Sequence, residues 1–523
     1  MPEPEVGVAD QLWCRDADTT LMAAVTDPPA ASDPSLEPSA ESSEAESREV
    51  RCSAAYPLPH LHPVPDFVGL PSSRRYVTVQ SKFVIAQVAA LSWTGFAAVI
   101  SFSLGQGLAE LVSWPYAVVL LVAVVWIPAY LAAFTAITLV LDDPPALKVV
   151  RPGTPVTVLI PVRDERTALV ATLAYLAAQD YDGPLRVIVV DRGSTDDTPN
   201  EARRAALRLR LDTEVLCEPD SDRAAARNAG LARVTTPLIV AVDPGAYLHP
   251  SAVRLLVARL SSSPSDTAAV AGDAVVRNHQ DGSGAELLAA EYALGANAVQ
   301  RVNALFQGAL VAEGACSVFR TDAVRAVNGW ATGAAQDVQL TWRFLERGWR
   351  VFYEPLALAF TTERITIGSA ARRRARYTWG LLAALHEPGR RPLRFPFSRF
   401  LTALDVATPV LDLVFTIAWV QAVVFLAFGQ FMLVGFYLLF VLPMSLAAPA
   451  LARRYQRDVL DEAGLAVARR GGLGRLAPLL WTHAVQAPIG VWSGLREIQR
   501  LRDEGPDDVT QVPLRVPRAR PRS

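Results

Sequence analysis

Apolar positions fall along this chain in two different rhythms. Residues 83–104 (FVIAQVAALSWTGFAAVISFSL) and 115–141 (PYAVVLLVAVVWIPAYLAAFTAITLVL) are apolar runs without a charged residue. Each exceeds the roughly 20 residues that a helix needs to cross a bilayer. Apolar runs of similar length return at 409–428, which holds one charged residue, Asp412, and at 431–451. Between the two pairs, over residues 150–395, short apolar stretches (TVLIPV, RVIVVD, TEVLCEP, PLIVAVD, TAAVAGDAVV) are separated by helical segments. That alternation predicts an α/β domain with a largely parallel sheet, inserted between transmembrane helices. Such sheets bind ligands beyond the carboxyl ends of their strands, so the residues just after each apolar stretch matter most.

The ends of the chain follow neither rhythm. Residues 1–75 are rich in Pro, Ser, Ala, Asp and Glu. They bury too little apolar surface to offset the entropy of ordering, and disorder is expected there. The first long apolar run begins only near Phe83, which argues against a signal peptide. A weaker segment at 476–495 contains Pro478, His483, Gln486 and Pro488. It reads as a fifth span packed against the others, with an interfacial helix as the alternative. The C-terminal membrane region thus covers 400–495, and the charged tail 496–523 is expected to be disordered.

Charge sets an orientation. Arg74, Arg75 and Lys82 precede the first hairpin of helices (83–141), Lys148 and Arg151 follow it, and the loop GQGLAELVSW has neither Lys nor Arg. Arg390, Arg391, Arg394 and Arg399 precede the later pair, and Arg453, Arg454 and Arg457 follow it. By the positive-inside rule the α/β domain faces the cytoplasm of a multi-pass protein in the inner (plasma) membrane. Hydrophobic residues make up 51% of the chain, which suits a membrane protein, and a net charge of −2 gives no basic field for nucleic acid. The four cysteines form no CxxC pair, so neither a zinc site nor a disulfide framework is indicated. Cys217 and Cys316 lie in apolar runs and are expected to be buried thiols.

The chemistry-bearing residues stand where the sheet argument places them. PLIVAVDPG runs from four apolar residues through Val242 to Asp243, then breaks at Pro244 and Gly245. VVDRGSTDDT ends its apolar run at Asp191. Asp196, Asp197 and Thr198 beyond it are explained as a helix cap, whereas Asp191 precedes the cap. His249 has no second histidine at ligand spacing and is expected at the surface.

The order IPVRDE, VVDRGSTDDT, DRAAARNAG, VDPG, AEGACSVFR, AQDVQLTWRFLERGW and RRRARYTWG resembles the processive family 2 glycosyltransferases, the group of cellulose, chitin, hyaluronan and poly-N-acetylglucosamine synthases. The resemblance covers roughly residues 155–385. It implies a GT-A fold, Rossmann-like in its sheet, and an inverting enzyme of cell-envelope polysaccharide biosynthesis. Such an enzyme moves a sugar from a nucleotide-sugar to a glycan or lipid-linked acceptor beside membrane lipid. It further implies that Asp191 contacts the nucleoside, with Asp164, Glu165 and Arg223 nearby. Asp243 takes the place of the first DxD carboxylate, holding Mg2+ or Mn2+ against the diphosphate. Asp337 takes the place of the TED base, and Arg376 that of the QxxRW arginine, with Arg373 and Tyr377 at the remaining positions of that motif. Glu313 and Gly314 match a stretch that lines the acceptor pocket, although a salt bridge from Glu313 to Arg320 explains the glutamate equally well.

These roles make chemical sense. A departing nucleoside diphosphate gains negative charge that a cation and an arginine stabilise. The acceptor hydroxyl needs a carboxylate within hydrogen-bond reach. The motifs are altered, however: Asp191-Arg192-Gly193 replaces DDG, Asp243-Pro244-Gly245 replaces DxD, Ala335-Gln336-Asp337 replaces TED, and Arg373 and Tyr377 replace the Gln and Trp of QxxRW. The alterations leave a catalytically degenerate membrane scaffold or binding subunit as the rival reading.

Overall fold

The structure, a computed structural model, describes residues 63–64, 77–104, 106–111, 113–142, 145–219, 221–276, 297–308, 316–331, 336–361 and 392–462. Glu313, Gly314, Arg373, Arg376, Tyr377, the segment 476–495 and the tail 496–523 lie outside the described residues.

The apolar stretches of the middle region are the strands β1 (Val156–Val162), β2 (Leu185–Asp191), β3 (Asp212–Cys217), β4 (Leu238–Ala241), β5 (Tyr247–Leu248), β6 (Thr267–Val276), β7 (Ser317–Arg320) and β8 (Arg350–Thr361). They form one sheet in the order β3-β2-β1-β4-β7-β6-β8-β5. Strands β3, β2, β1 and β4 are mutually parallel. Strand β7 runs against both β4 and β6, β6 and β8 are parallel, and β5 is antiparallel to β8. The sheet is therefore mixed though mostly parallel, in agreement with the α/β GT-A expectation.

Unbroken apolar strands imply helices on both faces, and the packing shows them. Val158, Ile160 and Val189 pack on one side with Leu169 and Leu173 of α4 (Arg166–Ala177) and Leu256 of α7 (Ala252–Ser262). Leu159, Ile188 and Val190 pack on the other with Ala224 of α6 (Arg223–Arg233) and Leu340 of α10 (Gln336–Glu346). Gly272 marks a close approach between strands: a Cβ there would lie 2.5 Å from the Ala357 carbonyl oxygen and 2.9 Å from the Cys316 sulfur. The register between β6 and β8 shifts at the same place.

Among the described residues, three helical stretches are long and apolar enough to cross a membrane: Val79–Ser103, Trp114–Leu141 and Val410–Ala427. The first belongs to α1 (Val79–Leu104), the second is α3, and the third lies in α11 (Pro396–Ala427). The next apolar run, Met432–Ala448, begins the helix α12 (residues 432–462) and is shorter than those three. Val84, Val88 and Leu91 of α1 leave more than half of their surface uncovered, as an outward apolar face would.

The long apolar helices and the sheet are joined by α8 (Asn297–Phe306). Phe306 meets Phe83 of α1 with ring centroids 5.2 Å apart and Phe134 of α3 at 6.0 Å. Arg301 donates from Nη1 to Asp142, just past the end of α3, at 3.0 Å, and its guanidinium lies 4.8 Å from the ring of Tyr455 on α12. Within the N-terminal segment Val64 is buried: its N–H donates to the Ser251 hydroxyl at 2.8 Å, and its carbonyl accepts from Arg254.

Two expectations are corrected. His249 is fully buried rather than at the surface, because its own N–H joins Leu358 of β8 (2.9 Å) while its carbonyl accepts from Gln179 (2.9 Å). Cys217 is exposed rather than buried, because β3 is the edge strand; Cys316 is buried as expected.

Candidate functional site

Strand β4 carries the chain to the carboxyl edge of the sheet and delivers Asp243 one residue beyond Val242. A turn follows in which the Ala246 N–H donates to the Asp243 carbonyl (3.1 Å) and the Gly245 N–H to the Thr172 hydroxyl (3.0 Å). Gly245 has φ +81°, a conformation that glycine adopts without a steric penalty. The turn therefore stops the strand and leaves the Asp243 carboxylate at its end.

Helix α6 faces that carboxylate. Its N-cap, Asp222, accepts from the Ala225 N–H at 2.6 Å and fixes where the helix starts. Positions four apart share a helix face, so Arg223 and Arg227 project together. Arg223 donates from Nη1 to Asp243 Oδ2 at 3.1 Å, and Arg227 from Nη2 to Asp243 Oδ1 at 3.0 Å. Arg227 also donates from Nη1 to Asp337 Oδ1 at 2.8 Å. Asp337 stands in the first turn of α10, where the helix dipole favours a carboxylate. Burial works against the Arg227 charge, yet Asp337 and Asp243 outweigh it and hold the guanidinium pKa above its ordinary value. The structure thus brings together Asp243, Arg223 and Asp337, three of the residues expected from the sequence.

Asp164 and Asp191 form a neighbouring group. Asp191 ends β2 opposite Val162 of β1 and Cys217 of β3. Its oxygens accept from the Ser194 N–H (3.3 and 3.2 Å) and from the Ser194 hydroxyl. Asp164, in the left-handed region at φ 53°, accepts from the Thr195 N–H (2.6 Å) and hydroxyl (3.0 Å). Both carboxylates therefore shape the loop after β2. Glu165 is the N-cap of α4 without a side-chain capping bond. The expected cap of α5 (Thr198–Leu209) is only partly made: Asp196 accepts from the Thr198 N–H at 3.0 Å, whereas the N-cap residue Asp197 pairs with Arg204 at 3.0 Å.

Two residues were missed by reading the sequence for carboxylates. Arg227 lies in DRAAARNAG, and its distance of four from Arg223 was the available signal. Arg192, seen only as a departure from DDG, donates from Nε to the Ser221 carbonyl at 3.1 Å. It thereby links the loop of Asp191 to the loop that opens α6. Burial lowers its pKa first, and the nearby Arg223 and Arg163 lower it further.

Asp243 offers hard oxygens of the kind that Mg2+ and Mn2+ take. Among the described residues, however, no three His, Cys, Asp or Glu side chains gather as a metal site.

The model of a family described as "Glycosyltransferase like family 2" matches residues 152–380. An N-acetylglucosaminyltransferase of Rhizobium leguminosarum bv. viciae is 29% identical over 234 residues, which cover 42% of this chain and 54% of the relative. The poly-beta-1,6-N-acetyl-D-glucosamine synthase of Staphylococcus aureus (strain COL) is 23% identical over 229 residues, or 43% of this chain and 54% of the synthase. The match thus spans about half the length of these relatives. Among solved structures, a mannosyltransferase from Pyrobaculum calidifontis in complex with GDP-Man and Mn2+ is similar at TM-score 0.47 and 18% identity, over 71% of this chain and 98% of that one. A glucosyl-3-phosphoglycerate synthase from Mycobacterium tuberculosis, in complex with Mn2+, uridine-diphosphate and phosphoglyceric acid, reaches 0.34 at 17% identity, over 45% and 80%. These two superpositions are too loose to bear on individual residues. Residues 152–380, holding Asp243 and Asp337 on one buried arginine, match the model of the glycosyltransferase-like family 2.

Proposed function

We propose that the chain moves a sugar from a nucleoside-diphosphate donor to a glycan or lipid-linked acceptor, with inversion, at the cytoplasmic face of an inner (plasma) membrane. The observation that carries this reading is that Asp243 and Asp337, far apart in sequence, share the guanidinium of Arg227 at the carboxyl edge of the sheet. That edge is where α/β sheets bind ligands.

In this reading Asp337 is the general base. The acceptor oxygen attacks the anomeric carbon, the bond from that carbon to the diphosphate oxygen breaks, and the hydroxyl proton passes to Asp337. The donor leaves as a nucleoside diphosphate. Arg376 is the residue that meets the charge on the departing diphosphate, and Arg373 and Tyr377, of the same motif, contribute to donor binding. Asp164, Glu165, Asp191 and Arg223 border the nucleotide, the first and third by shaping the loop after β2. Asp243 is the residue that would hold Mg2+ or Mn2+, which when bound supplies positive charge to the diphosphate. The apolar helices support a multi-pass membrane protein whose bilayer shelters a lipid carrier or a growing glycan.

The test is a screen of radiolabelled nucleotide-sugars against membranes that contain the protein, followed by size analysis of the product. Transfer from one donor, lost in Asp337→Asn, is expected. High-molecular-weight material identifies a polymer synthase, and a single labelled lipid identifies a single-addition enzyme. No transfer from any common donor refutes the proposal and favours the scaffold.

A further inference from the structure

Arg227 is the most deeply buried charge at the site, with a side chain 1% exposed. Its two terminal nitrogens are divided between two carboxylates, Asp337 at 2.8 Å and Asp243 at 3.0 Å. Arg223 holds the other oxygen of Asp243 at 3.1 Å. Both oxygens of Asp243 therefore face cationic donors of the protein itself. A divalent cation competes for the same two oxygens, and charge-assisted pairs of this kind are the strong ones. A free cation must displace a guanidinium to reach Asp243. A diphosphate changes that balance, since its oxygens complete the cation's shell and give the displaced arginine a new anionic partner. The Nε hydrogen of Arg227 is also buried, with no partner among the described residues, so its two ion pairs do not use all of its donors.

Resting on the sugar-transfer reading, we propose that Arg227 is a positioning residue: the internal counter-ion that holds Asp243 and Asp337 together in the donor-free protein. In that role it makes a divalent cation enter with the nucleoside diphosphate rather than ahead of it. The guanidinium keeps both carboxylates compensated while the site is empty. It then remains on Asp337 when the donor and cation take Asp243.

The experiment is a Mn2+ titration of the full chain in detergent, followed by the electron paramagnetic resonance of free Mn2+, with and without UDP or GDP. Wild-type protein binds Mn2+ weakly alone, and at least about five-fold more tightly once a nucleoside diphosphate is present, the lower end of ordinary coupling between two sites. Arg227→Gln, which removes the charge, raises nucleotide-free Mn2+ affinity by a similar factor, and adding Asp243→Asn abolishes that gain. Arg227→Lys keeps a charge but cannot fork to two carboxylates. It raises nucleotide-free Mn2+ affinity less than the Gln variant does, and in transfer assays lowers kcat with donor KM little changed. Equal Mn2+ affinity with and without nucleotide in the wild type overturns the proposal, as does an unchanged nucleotide-free affinity in Arg227→Gln. Should that variant fail to fold, an unchanged nucleotide-free affinity in Arg227→Lys overturns it instead. If no nucleoside diphosphate binds under any condition, the sugar-transfer reading fails, while the nucleotide-free comparison still decides whether Arg227 is the counter-ion.

Discussion

Asp142→Asn cuts the ion pair that joins the end of α3 to α8. The bond from Arg301 is 3.0 Å long, and the two side chains are 8% (Arg301) and 13% (Asp142) exposed. Replacing the carboxylate leaves a buried guanidinium facing a neutral amide. Breaking a buried pair from one side costs about 3–5 kcal/mol, because the remaining charge stays desolvated. Here the ring of Tyr455, 4.8 Å from the guanidinium, returns part of that loss, which favours the lower end, about 3 kcal/mol. A control has the same chemistry without the burial: Arg151 and Asp182 lie 3.4 Å apart and are 48% and 53% exposed. Asp182→Asn should cost no more than about 1 kcal/mol. The assay is unfolding of the full chain in detergent, followed by tryptophan fluorescence, for both single variants, Arg301→Met, and the double variant Asp142→Asn/Arg301→Met. The double variant should recover part of the loss, since the guanidinium goes together with its Asp142 carboxylate, while buried Asp273 also loses the Arg301 charge. Equal costs for Asp142→Asn and Asp182→Asn would refute the argument that burial decides the strength of this tie.

Other outcomes follow from the same geometry. Gly272→Ala should destabilise the chain by about 1–3 kcal/mol, since its Cβ would meet the Ala357 carbonyl oxygen at 2.5 Å, and a calorimetric scan reads the loss. Asn228 donates to the Trp330 carbonyl at 2.8 Å and accepts from the Trp330 N–H at 2.9 Å. Asn228→Ala removes both bonds and should cost about 2 kcal/mol in denaturant unfolding. Burial, with Asp273 adding to it, pushes the Cys316 thiol up to about 12, so in native protein at pH 8 a maleimide should label exposed Cys217 and leave Cys316 until denaturant is added. The sign for stability follows: the folded state keeps the Cys316 proton longer than the unfolded state, whose thiol titrates at 9.0. This group's contribution is thus complete below pH 9.0 and is lost as pH rises toward about 12. A melting temperature insensitive to pH across that window in the wild type, or equally sensitive in Cys316→Ala, would count against it.

Much of the fold was legible because its signals are local. Each apolar run in TVLIPV, RVIVVD and PLIVAVD became a strand, since a strand covered by helices on both faces must be apolar throughout. Asp191 and Asp243 could be placed at strand ends for the same reason. The sequence did not show that β7 would insert between β4 and β6 and run against both, because strand order depends on contacts between distant segments. The surface expectation for His249 failed on that account, as its cover comes from β8 and from Gln179.

By itself, then, the sequence determined the apolar membrane-length runs, the alternation of strand and helix, and the carboxylates that close the strands. Those features depend on residue type and on spacing over a few positions. Only the tertiary structure decided that Arg227 would be buried between Asp243 and Asp337, and that Asp164 and Asp191 would turn to the loop after β2. The reason is physical: a buried charge is tolerable only where partners from other elements reach it, and folding alone brings those partners within bonding distance.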